Sequence, residues 1–210
     1  MSLNYIRFKE ALSSQGLFST DHIRLLFPGF NSDNLLHWQN KGYIIKLRNK
    51  WYCFSDTTTT PGFQFLVANL IYQPSYISHQ EALAFYGLIP ESVIDSVSVT
   101  TKKTMSFRAL DRTFKYYSIH PRYFFGYEIK EMNASGIRRG FMMADREKAI
   151  LDLLYLYDFY KTGPDISEIR FNDTVLGSDV DWDRMEQYLE RFNNKSLEKK
   201  IDLLIKTYHL

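Results

Sequence analysis

"NSDNLLHWQNKGYIIKLRNKWYCF", Asn31 to Phe54, decides how the first quarter of the chain is read. A helix is predicted from Asn31 or Ser32 to Gly42, because a polar cap opens it and glycine stops it. Leu35, Leu36 and Trp38 are expected to face inward. Asn34, His37 and Lys41, spaced by three and four, gather on the opposite side. Beyond Gly42, "YIIKLRNKWYCF" alternates rings and aliphatics around Arg48-Asn49-Lys50, the pattern of two strands joined by a short basic turn.

Upstream lie two more helical stretches. Tyr5, Phe8 and Leu12 fall on one helical stripe. "FSTDHIRLLFPG" opens with Ser19 or Thr20 as cap and closes at Pro28-Gly29, with Ile23, Leu26 and Phe27 expected inward. Three helices followed by a hairpin is the order of a winged helix-turn-helix. Such a domain is expected over residues 1–56, with an extended linker at 57–62 and a second, mixed α/β domain over 63–210. The fold class is then α+β.

Charge is uneven. The chain of 210 residues has a net charge of only +2. Residues 1–56 nevertheless hold seven Lys/Arg against four acids, leaving the remainder slightly negative. A basic surplus confined to one end suits an acidic partner. In a winged helix the third helix enters the major groove of double-stranded DNA and the wing reaches flanking phosphates. Asn34 has the groups to read adenine and Lys41 to bind guanine or phosphate. Ser32, at the helix start, stands where backbone N–H groups favour an anion. The candidate DNA-binding set is therefore Ser32, Asn34, His37, Lys41, Arg48, Asn49 and Lys50.

The second domain is predicted to begin with a helix near Phe63–Ile71. "SYISHQEALAFYGLIPE" follows, Ser75 to Glu91, in which Ser78 and Glu81 have the spacing of a capping box. Strands are predicted in "SVIDSVSVTT", "RTFKYYSIH", "YFFGYEIKEM" and "IRRGFMMA", rich in the aromatic and β-branched residues that sheets favour. Asp145 caps a strong helix, "REKAILDLLYLYDFY". Two further helices carry Trp182, Met185, Leu189 and Phe192, and Leu197, Ile201, Leu204 and Tyr208, on their inner faces.

No enzyme motif stands out, and no catalytic residue, cofactor or metal is assigned. Glu128-Ile129-Lys130 spells the E-x-K of a restriction-type nuclease core, with Asp111 as a second ligand for Mg²⁺; this is the alternative reading. Asp179, Asp181, Asp183 and Glu190 mimic calcium-loop spacing, but arginine occupies the glycine position and the local periodicity is that of a helix start. The single cysteine, Cys53, excludes an internal disulfide and suits a reducing cytoplasm. No signal-peptide pattern or membrane-length apolar run is present in the sequence.

The ordered tracts "SYISHQEALAFYGLIPE", "SVSVTTKKT", "FKYYSIHPRYFFGYE" and "ADREKAILDLLYL" resemble the second domain of AbiEi-type antitoxins of bacterial abortive-infection systems. The hairpin "KGYIIKLRNKWYCF" is similar to that of their DNA-binding domain, and the resemblance covers about residues 18–160. It implies a type IV antitoxin and transcriptional repressor, encoded beside a nucleotidyltransferase-like toxin. Repression would act through repeats in its own promoter, and a stable complex with the toxin is not required. Only the third-helix and wing residues named above match a role in that family, namely DNA contact. A third reading is a protein–protein adaptor in which the winged helix serves as an interaction surface.

Overall fold

The computed structural model describes residues 4–90 and 94–210, an α+β chain. Three helices, α1 (Tyr5–Leu12), α2 (Thr20–Leu26) and α3 (Asp33–Asn40), pack on a small antiparallel sheet. Its strands are β1 (Leu17–Ser19), β2 (Ile44–Arg48) and β3 (Trp51–Phe54), with β3 central. Strand β1 is an element that the sequence pattern did not mark, since three residues are too few to show a period. Ser19 ends it and caps α2, accepting a hydrogen bond from the His22 backbone N–H at 3.1 Å.

The small sheet is apolar on both faces. Phe18, Ile44, Tyr52 and Phe54 meet Phe8, Leu12, Ile23, Leu35 and Trp38 of the helices. Phe8 is the hub, with ring centroids 4.6 Å from Trp38 and 5.3 Å from Phe18. Such aromatic pairs are worth about 0.5–1.5 kcal/mol each beyond the area they bury. The opposite face carries Leu17, Leu47 and Cys53, which belong to the core of the rest of the chain. A strand apolar on both sides needs cover on both sides. The N-terminal part and the body therefore share one wall.

The stretch expected as an extended linker begins in a turn. Ser55–Thr59 form a 3₁₀ turn in which Thr57 is buried, and Thr60 is buried just beyond it. Short threonine side chains pack here because the chain has only a few residues in which to pass from β3 into α4 (Phe63–Ile71).

The body is a six-stranded mixed sheet. Its strands are β4 (Ser75–Ile77), β5 (Ser96–Thr100), β6 (Met105–Ala109), β7 (Arg112–Ser118), β8 (Tyr127–Ala134) and β9 (Ile137–Ala144), in the order β6-β7-β5-β4-β9-β8. Strands β4 and β6 lie outside the predicted set. Helix α5 (His79–Phe85) follows β4, and α6 (Arg146–Leu156) follows β9. Every residue from Glu147 to Leu154 is buried, so α6 is enclosed by the body rather than amphipathic. Asp145 caps it, accepting from the Lys148 N–H at 2.8 Å.

The chain closes with α7 (Gly163–Ser167), α8 (Asp173–Ser178), α9 (Trp182–Phe192) and α10 (Lys195–Tyr208), the first two too short to leave a sequence pattern. Asp181 caps α9 through the Arg184 N–H at 3.0 Å, which accounts for the calcium-like acids as helix-start chemistry. Among the described residues no helix is long and apolar enough to cross a membrane.

Candidate nucleic-acid interface

Helix α3 buries Leu35 and Trp38, half-buries Asn34 and Gln39, and exposes its other residues. Its outermost ridge consists of Asp33, His37 and Asn40, all exposed. At 100° per residue, Asn34 stands only about 40° from Trp38, and it is half-buried on the flank rather than opposite the core. Leu36, expected inward, is 63% exposed, because Leu35 and Trp38 already fill the contact with the neighbouring helices. The same applies on α2, where Leu26 is 50% exposed while Ile23 reaches the core. Lys41 follows the last helical turn and is exposed, its ammonium 5.9 Å from the Tyr43 ring centroid. Ser32 precedes the helix and is exposed, but its side chain caps nothing; the Asn31 carboxamide oxygen instead accepts the Asp33 N–H at 2.9 Å.

The hairpin is short and tied back. Asn49 and Lys50 are exposed at its turn, Lys50 in the left-handed region at φ 66°. The Lys50 carbonyl accepts the Thr20 N–H at 2.9 Å, linking the turn to the start of α2. Arg48 leaves the candidate interface: its guanidinium lies 5.4 Å from the Phe107 ring centroid and 5.8 Å from that of Tyr72, against the body. Sequence reasoning passed over Lys46. It sits two residues after the helix-facing Ile44, so it shares the α3 side of edge strand β2, and it is exposed. The alternation of β2 was the signal that placed it there.

Ion pairs remove other cations from this face. Lys9 pairs with Asp56 at 2.6 Å, and Arg24 lies 3.8 Å from Asp21. Lys41, Lys46 and Lys50 have no ion-pair partner among the described residues. Arg7 on α1 is likewise exposed with no ion-pair partner among the described residues, so the free charge of the N-terminal part lies on α1, at the end of α3 and along the hairpin.

The body tract holds a different chemistry from the one its spacing suggests. Ser78 and Glu81 form no capping box. The Ser78 hydroxyl donates to Asp152 Oδ2 at 2.8 Å. The Tyr76 hydroxyl donates to the same oxygen at 2.9 Å and accepts from Lys148 Nζ at 2.7 Å, while Lys148 also pairs with Asp152. Glu81 accepts from the Ser96 hydroxyl and from Arg112 Nη1, each at 3.0 Å. Each side chain found a partner distant in sequence that outcompeted the local N–H. Residues Tyr76, Ser78, Lys148 and Asp152 are fully enclosed, so the cluster offers a solute no direct access. Its arrangement suits locking β4 to α6. Glu91, the last residue of the tract, and Ser92 and Val93, where the next strand was expected to start, lie outside the described residues.

The nuclease constellation does not assemble. Asp111 occupies the β6–β7 turn at φ 55°, near one edge of the sheet, whereas Glu128 and Lys130 lie on β8 at the other edge. Three strands intervene between β7 and β8, a separation of roughly 19 Å at ordinary strand spacing. Glu128 and Lys130 pair with each other at 2.7 Å. Among the described residues no group of three or more His, Cys, Asp or Glu is placed to hold a metal ion.

The chain matches no protein-family model, and a search of curated proteins finds no match to it.

Proposed function

We propose that the chain is a DNA-binding antitoxin and transcriptional autorepressor whose N-terminal part is a winged helix. The observation that carries the reading is the division of labour in that part. One face of its sheet is sealed against the body, while α3 keeps its outward ridge and the neighbouring Lys41, Lys46 and Lys50 open to solvent. The order helix, strand, helix, helix, hairpin supports it, since this order presents the third helix to a major groove. The resemblance of the body tracts to AbiEi-type antitoxins supplies the biological role: control of the chain's own promoter and of a nucleotidyltransferase-like toxin.

The three free lysines of α3's end and the hairpin imply a shallow salt dependence, of about three phosphates for one copy. Specific binding then rests on base contacts by the α3 ridge and on occupancy of paired sites. The test is a mobility-shift titration on the DNA upstream of the gene against scrambled DNA of equal length. Preference for the upstream fragment, lost on His37→Ala with Asn34→Ala, is the expected result; equal affinity for both fragments rejects DNA reading. Growth rescue on co-expression with the adjacent open reading frame tests the antitoxin role separately.

A further inference from the structure

The six-stranded sheet has two edges, and they are treated differently. Edge β6 is approached by the N-terminal hairpin, with Arg48 laid over Phe107. Edge β8 is eight residues long and, among the described residues, pairs in the sheet only with β9. Unpaired edge backbone is a template for another strand unless it is covered or blocked.

The hydrogen-bonding phase of β8 follows from its hairpin. Ser135 and Gly136 both have positive φ, as in a two-residue type I′ turn, so Ala134 and Ile137 form the closing bonded pair. Alternation then turns the N–H and C=O groups of Tyr127, Ile129, Glu131 and Asn133 away from β9. Ile129 is 69% exposed in the middle of this row.

We propose that β8 is a homodimer interface, at which two copies join antiparallel with Ile129 opposite its own copy across a two-fold axis. Among registers centred in the middle of β8, residues 128–131, charge selects this one. With Ile129 at the centre, Glu128 of each copy faces Lys130 of the other, at a non-bonded pair where side chains lie closest. Centring on Lys130 would oppose lysine to lysine; centring on Glu128 or Glu131 would oppose glutamates. The charges that would guard an edge against other strands thus match in one self-pairing, as an isologous contact requires. The internal Glu128–Lys130 pair, 2.7 Å apart on one face of β8, has both groups already at the surface where the partner would arrive. The inference is independent of DNA reading, although a two-fold dimer would carry two α3 helices related as inverted repeats are.

Sedimentation of the full chain over a concentration series tests it. Wild type is expected to shift from monomer to dimer. Glu128→Lys and Lys130→Glu should each weaken dimerisation about tenfold or more, because both symmetry-related pairs become repulsive. An equimolar mixture of the two variants should dimerise again, since each lysine then meets a glutamate. Circular dichroism of each variant verifies folding. As a second readout, Ile129→Cys should form a disulfide-linked dimer on oxidation, because bonded antiparallel pairs hold Cα atoms about 5.5 Å apart. Asn133→Cys, distant from its own copy, should not. A wild-type chain that stays monomeric throughout, a mixture no tighter than its components, or equal cross-linking at both positions overturns the proposal.

Discussion

Lys148 and Asp152, one turn apart on α6, form an ion pair in which neither side chain reaches solvent. Two charges leave water here, and only a fully bonded setting offsets that cost. Tyr76 supplies the setting by donating to the carboxylate and accepting from the ammonium, and Ser78 adds a second donor. Asp152→Asn leaves the ammonium without its counter-charge. It should lower unfolding free energy by about 3–5 kcal/mol in urea titration. Tyr76→Phe keeps the ring and removes one hydroxyl, so its cost should be smaller, about 1–3 kcal/mol.

Beside that pair, His79 is fully buried with no hydrogen-bond partner for either ring nitrogen among the described residues, its ring centroid 5.4 Å from that of Tyr117. Burial first, and then the Lys148 charge, push its pKa from 6.5 down to about 3. Between those values the unfolded chain binds a proton that the native ring refuses, so stability falls as pH drops from about 6.5 toward 3. Glu81 acts in the opposite sense. Burial raises its carboxyl from 4.5 to about 7 despite Ser96 and Arg112, so its contribution is full below 4.5 and is lost as pH rises through 7. His79→Phe should therefore gain on wild type in melting temperature as pH falls from 7 to 4. Glu81→Gln should flatten the decline between pH 5 and 7.5. Parallel pH profiles for all three proteins would reject both assignments.

Glycine positions separate backbone strain from crowding. Gly87 has φ 70° with no described residue within 4 Å of an added Cβ. Gly126 has φ 68°, and a Cβ there would stand 2.9 Å from both Lys148 Cβ and Tyr188 Cε2. Gly87→Ala should cost about 1–2 kcal/mol for the left-handed conformation alone. Gly126→Ala adds overpacking of about 1–3 kcal/mol against the start of α6. Urea midpoints should rank wild type, Gly87→Ala, Gly126→Ala; the reverse order of the two variants would mean that crowding relaxes freely.

What the sequence made legible is what short-range physics decides. Ser19 and Asp145 cap helices because the N–H groups they satisfy lie three residues away. The β2–β3 hairpin follows from its alternating residues and basic turn. Ser78 and Glu81 mislead for the converse reason: their partners, Asp152 and Arg112, are 74 and 31 residues distant. Leu36 misleads because a leucine in a helix reads as core, whereas the tertiary contact accommodates only Leu35 and Trp38. Arg48 reads as a wing cation until the sheet brings Phe107 beneath it, a relation that no local pattern carries.

Arg48 also gives the sharpest separation of DNA contact from architecture. Its guanidinium bridges the hairpin to Tyr72 and Phe107 of the body, where cation–π contacts are worth about 0.5–2 kcal/mol. Lys50, two residues on, is exposed and has no ion-pair partner among the described residues. Lys50→Ala should leave the urea midpoint unchanged and reduce the salt slope of promoter binding by about one unit, the mark of a lost phosphate contact. Lys46→Ala should do the same if β2 flanks the duplex beside α3. Arg48→Ala should lower the urea midpoint and change affinity without changing the slope, because the ring contacts hold its charge away from phosphate. Equal loss of slope on Arg48→Ala and Lys50→Ala, with stability intact, would place the arginine on the nucleic acid and free the hairpin from the body.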